Sequence, residues 1–183
     1  SGNLGVTDLG RIASHYYIKH GTIEGFNNML NTAQKTEKEC LHALCSASEF
    51  DQLKVRPEET AELERLKKSV PFKTKSIDDT AGKVSVLLQN FCRQERVESF
   101  TLQSDTNYIA TNAGRIARAL FEINVKRGWS AMARLYLELS KSIDRRVNMH
   151  DTPLRQFNEL SREIIHRIET TNSTPEKIID MDA

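Results

Sequence analysis

A chain of 183 residues, 38% of them apolar and with a formal charge of +1, has the make-up of one large globular domain, or one domain with a small appendage. The near-neutral charge excludes a broadly basic carpet for nucleic acid, so electrostatic binding has to come from a local arrangement of cations. No apolar run approaches the roughly 18 residues of a membrane span, and three cysteines, an odd number, read as free thiols in a reducing compartment.

The first residues show no basic, apolar and small-residue pattern of a secretory leader. The stretch VTDLGRIASHYYIKHG then sets Leu9, Ile12, Ala13, Tyr16 and Tyr17 on one side at helical spacing, with Gly21 as terminator. A short helix is predicted over 22–30. Thr36 and Glu39 make a capping box, in which the threonine side chain accepts from the third helical amide and the glutamate reaches back. It opens a helix through Leu41 and Leu44 to about Ala47. Pro57 suits a first helical turn, where its missing donor is not needed, and the helix it opens has to stop before Pro71. Glu58, Glu59, Glu62 and Glu64 read as a solvated face of that helix, paired with nearby lysines.

After a polar loop over 72–79, TAGKVSVLLQNFCRQ puts Val84, Leu87, Leu88 and Phe91 on one stripe. VESFTLQ is the one candidate strand. A long helix is predicted from about Asp105 to Arg127, and another from Ser130 to Val147 with Met132, Leu135, Tyr136, Leu139 and Ile143 spaced for burial. Pro153 then breaks the pattern, and short helices are predicted after Ser161 and from Thr174 and Pro175. The class is all-α. Two units are expected: a helical bundle over 1–150, and a helix–loop–helix segment over 151–183 that reads as cut short at its C-terminal end.

Chemistry motifs are mostly missing. No GxxxxGK[ST] loop and no GxGxxG after a strand is present, so the chain has no usual nucleotide site of its own. Cys40, His42, Cys45 and Cys92 invite a metal reading, but at about 100° per residue Cys40 and Cys45 point about 140° apart on one helix. Small buried thiols are the better account. His150 beside Asp151 has the form of a base and its orienter, yet no nucleophile is placed with them.

The long helix is different. Ile109, Ala113, Ile116, Ala117, Leu120 and Ile123 occupy the arc that faces the core. Across from them lie Ser104, Asn107, Tyr108, Thr111, Arg115, Arg118, Glu122 and Lys126, in a strip about 100° wide. Hydroxyl, amide, aromatic and guanidinium groups are those that bond phosphate oxygens and stack on bases. Composition alone favours the plainer account, a solvated face on which Arg118 pairs with Glu122 at i+4. Gly114 is a place where another backbone can approach closely. Trp129, the chain's one tryptophan, reads as a buried plug joining this helix to the next sooner than as a base-stacking platform.

LGRIASHYYI, SEFDQLKVRPEE, GKVSVLLQNF and SFTLQSDTNYIATNAGRIARALFEINVKRGW occur in that order. Together they resemble the Sec-sixty-three homology unit, the helical region that follows a winged helix in large superfamily-two helicases of the DExH type. DRRVNMHDTPLRQF and the helix pair after it are similar to the same family's helix–loop–helix segment, so the resemblance covers nearly the whole chain. One position departs from it: a tryptophan is expected after DRR, where Val147 and Asn148 stand.

The resemblance implies that the long helix is a ratchet helix, which crosses a helicase core and touches the translocating single strand. Arg115 and Arg118 would lie on the strand side, with Thr111, Asn112 and Tyr108 as neighbours and Asn112 at the edge. It implies single-stranded RNA or DNA as ligand, and as partners the motor and winged-helix domains of the same chain and other subunits of a helicase complex. It implies no catalytic residue and no cofactor within 1–183, ATP and Mg belonging to the motor domains, no membrane, and a nuclear or cytoplasmic setting. A reading of another class stays open, a protein-interaction scaffold within such a complex. The Arg115/Arg118 strip separates the two, because a docking module has no need of guanidinium, hydroxyl and aromatic groups on one helix stripe.

Overall fold

Side chains supplied by the sequence open most of the helices. A computed structural model describes residues 5–31, 35–157, 159–171 and 174–180; the outer ends of the two expected units, 1–4 and 181–183, lie outside them. Thr7 caps α1 (Asp8–His15) by accepting from the Gly10 amide at 3.1 Å. The capping box of Thr36 and Glu39 opens α3 (Glu37–Cys45), after α2 (His20–Met29). A short 3-10 turn, Pro57–Glu59, leads into α4 (Thr60–Ser69). Asp79 caps α5 (Thr80–Cys92) through the Gly82 amide at 2.6 Å. Next come α6 (Phe100–Lys126) and α7 (Ser130–Arg145). Ser161 caps α8 (Arg162–Thr170), and α9 spans Pro175–Ile179. Among the described residues the fold is all-α, and no helix is long and apolar enough to cross a membrane.

Three features differ from expectation. Gly21 does not end the first helix: α1 closes at Tyr16 and Tyr17, and Gly21 lies inside α2. The candidate strand VESFTLQ is instead the approach to α6, which starts at Phe100. There the Glu62 carboxylate accepts the amides of Glu98 at 2.6 Å and Ser99 at 3.0 Å, doing from α4 what a local cap would do.

The third difference is α5. A stripe was expected, but Val84, Val86, Leu87 and Leu88 are buried together with Lys83, Ser85, Gln89 and Asn90. Packed among α3, α4, α6 and α7, α5 has almost no face left for solvent. Its buried polar side chains Lys83, Ser85, Gln89 and Asn90 are therefore bonded. Gln89 donates to the Phe72 carbonyl at 3.0 Å and accepts its amide at 2.9 Å. Asn90 accepts from Ser69 at 2.9 Å. Meanwhile α6 and α7 lie along each other, joined by a tight turn in which Gly128 takes φ +72.

Candidate nucleic-acid interface

The expected core arc of α6 is buried throughout: Ile109, Ala113, Ile116, Ala117, Leu120 and Ile123 are all closed off from solvent. On the other side Ser104, Asn107, Tyr108, Thr111 and Arg118 are exposed and Arg115 is half-buried. The C-terminal end of the strip is partly covered. There α1 lies against α6, and Asp8 approaches Lys126 at 3.8 Å. The open part therefore runs from Ser104 to Arg118, about 20 Å at the helical rise.

Neither arginine hangs free. Arg115 donates from Nη1 to the Tyr16 carbonyl at 2.7 Å and also to the Tyr17 carbonyl, closing the C-terminus of α1. Its Nη2 donates to Asn112 Oδ1, and Asn112 in turn donates to the Tyr108 carbonyl at 2.8 Å. Asn112 is buried, so it orients Arg115 instead of facing outward. Arg118 does not pair with Glu122 as spacing suggested. Its Nη2 bonds Asp144 of α7, and this pairing raises its pKa above the ordinary arginine value. Gly114 explains why Asp144 can come so near: a Cβ there would sit 3.0 Å from its Oδ1. The close approach is thus to a side chain of α7.

These bonds position the guanidinium groups without exhausting them. Arginine carries five N–H donors, and Nε and Nη1 of Arg118 have no hydrogen bond among the described residues. Tyr108 gives its hydroxyl to the Glu49 carbonyl at 3.1 Å and keeps an exposed ring. Thr111 returns its hydroxyl hydrogen to the Asn107 carbonyl at 2.9 Å, which leaves its oxygen lone pairs outward. Tyr16 packs beside Arg118 and Glu122. Burial and the Glu122 carboxylate raise its pKa, and Arg118 works against them.

Cys40, Cys45 and Cys92 are buried free thiols while His42 is exposed. Burial pushes Cys45 up to about 12 and Cys92 up to about 11. His150 meets Glu37 of α3 at 3.1 Å, not Asp151. Trp129 is half-buried against the core with Arg127 stacked 4.8 Å from its ring. Val147, at the departing position, is buried and bonds Ser142 through both amide and carbonyl.

A polar cluster beneath the strip escaped the sequence reading. Glu59 is buried, not solvated, and Lys83 is wholly buried. Lys83 Nζ lies 2.7 Å from Glu59 and 2.7 Å from Asp105, and it donates to the Lys54 carbonyl at 3.2 Å. Thr101 adds a 3.0 Å bond to Glu59, and Arg56 closes the cluster toward solvent. This ties the first turns of α6 to α5 and to the start of α4. The one signal in the sequence was a lysine at the head of an apolar run, GKVSVLL.

Comparison with known proteins agrees with this architecture. Residues 6–179 match the family model described as the Sec63 Brl domain. The chain is 43% identical over 182 residues to activating signal cointegrator 1 complex subunit 3 of Dictyostelium discoideum, covering 100% of this chain and 8% of that protein. It is 45% identical to the Bos taurus protein of the same name, over 99% of this chain and 8% of that one. It is 41% identical to the U5 small nuclear ribonucleoprotein 200 kDa helicase of Homo sapiens, covering 100% of this chain and 8% of that one. The chain thus spans less than a tenth of the length of these relatives, and it belongs to the Sec63 Brl domain family.

Proposed function

We propose that the chain is an accessory domain of an ATP-dependent nucleic-acid helicase, guiding the translocating single strand along α6 and bracing the motor core. What supports this is the open stretch of α6 from Ser104 to Arg118. It presents hydroxyl, aromatic and guanidinium groups on a helix whose opposite face is locked into the bundle. Such groups track a phosphate backbone and stack on bases without reading sequence. Family membership and relatives that include a named helicase support a setting beside a motor, a winged helix and other subunits. In this reading residues 1–150 are the strand-guiding bundle and 151–183 a helix–loop–helix segment. ATP and Mg serve the motor, and the setting is nuclear or cytoplasmic.

The test is unwinding against ATP hydrolysis in the intact helicase. Arg118→Ala is the cleaner variant, because Arg115 also closes α1. Losing a charged hydrogen bond to phosphate costs roughly 1.5–3 kcal/mol of grip, so strand separation per ATP should fall while basal hydrolysis persists. Adding Arg115→Ala should cost less than the sum of the single changes if both hold one nucleotide. Parental unwinding in all three variants would favour the scaffold reading.

A further inference from the structure

We infer that Tyr17 is a stacking platform for a base of the strand along α6, a binding residue outside the α6 strip; the inference rests on the strand-guiding reading. It starts from how α1 ends. The amide of Ile18 donates to the Ala13 carbonyl at 2.8 Å and that of Tyr17 to Ser14 at 3.3 Å. This is the Schellman pattern, whose left-handed residue is ordinarily glycine. Here Tyr17 takes that position, with φ +53. A side chain there is disfavoured because its Cβ crowds the following carbonyl.

Burial does not offset this. Tyr17 is 85% exposed, while its neighbours Tyr16 and Ile18 take the inward positions. Among the described residues its hydroxyl makes no hydrogen bond. The backbone, by contrast, is held firmly: Arg115 bonds the carbonyls of Tyr16 and Tyr17 from α6. A large aromatic group is thus held out in water, at a disfavoured position, beside the guanidinium on the strip.

The surroundings fit a single strand. Glu49 accepts the Lys19 amide at 2.8 Å and, through its carbonyl, the Tyr108 hydroxyl at 3.1 Å. The turn after α1 and the Tyr108–Arg115 part of α6 therefore converge on one residue. Tyr17, Tyr108, Lys19 and Arg115 bring two rings and two cations to this part of the surface. Such a surface binds a strand by stacking on any base while holding phosphates electrostatically.

The experiment measures anisotropy of a labelled oligoadenylate, and of an equally long abasic strand, on the full-length protein that carries this chain. Tyr17→Gly removes the ring and suits the left-handed backbone, so the melting temperature should hold or rise. Binding of oligoadenylate should weaken about 5- to 140-fold, which is what stacking of 1–3 kcal/mol per base becomes at about 1.4 kcal/mol per tenfold. Binding of the abasic strand should not change, and Tyr17→Phe should bind like the parent. Parental oligoadenylate binding by Tyr17→Gly, or equal weakening of both strands, overturns the platform. Arg118→Ala separates the two readings: if it still weakens both strands, only Tyr17 falls. If it too leaves both unchanged, the strand-guiding reading falls with it.

Discussion

Lys83 of α5 and Asp105 of α6 meet at 2.7 Å inside the bundle, and the same ammonium lies 2.7 Å from Glu59. The lysine side chain is fully buried, so its charge depends wholly on these carboxylates. Breaking a buried pair from one side leaves an uncompensated charge and costs about 3–5 kcal/mol. Lys83→Met leaves both carboxylates with only the part-exposed Arg56 as a cation and should lower stability toward that range, measured by urea denaturation. Replacing Lys83, Glu59 and Asp105 together with apolar residues should recover much of the loss.

The same cluster gives a pH dependence with a definite sign. Burial acts to raise the Glu59 carboxyl, but hydrogen bonds from Lys83, Arg56 and Thr101 outweigh it and hold it below the ordinary 4.5. Bonds from Thr36 hold Glu39 low, and Arg155 does the same for Glu169. A carboxyl depressed in the folded state contributes stability that is present above the unfolded value and lost as pH falls through the folded one. Denaturation midpoints should therefore drop as the solution is acidified below 4.5. Glu59→Gln should flatten that acid limb, and an unchanged limb would contradict the cluster's role.

The two faces of α6 should separate in stability measurements. Leu120 is completely buried, and its change to alanine should cost about 2–5 kcal/mol. Arg118 pairs with Asp144 at the surface, where such pairs contribute about 0–1 kcal/mol, so Arg118→Ala should be mild. Chemical denaturation in the reverse order would mean that the faces are wrongly assigned.

Two helical glycines should respond oppositely to alanine. At Gly82 an added Cβ would lie 2.1 Å from the Ser76 carbonyl oxygen, which is backbone and cannot rotate away. Gly82→Ala should destabilise by roughly 1–3 kcal/mol, as overpacking does. At Gly114 the nearest atom is the end of the Asp144 side chain, which is partly exposed and can turn aside. Gly114→Ala should be neutral or stabilising by up to about 1 kcal/mol from helix propensity. It should also loosen the Arg118–Asp144 pair, visible as a change in salt dependence.

What the sequence determined by itself is what its near neighbours decide. The capping box of Thr36 and Glu39, the Ser161 cap and the Pro57 turn all act over a few residues, and all are where they were read. The buried arc from Ile109 to Ile123 follows from helical period alone. Only the tertiary structure decided which charges are buried and what the arginines hold. Lys83 finds Glu59 across 24 positions, Arg118 finds Asp144 across 26, and Arg115 reaches Tyr16 across 99. No periodicity encodes such pairs, because a partner that far along the chain is set by which helices pack together. Where spacing and packing competed for Arg118, Asp144 on the neighbouring helix displaced Glu122 one turn away, because Gly114 lets α7 come close enough to present it.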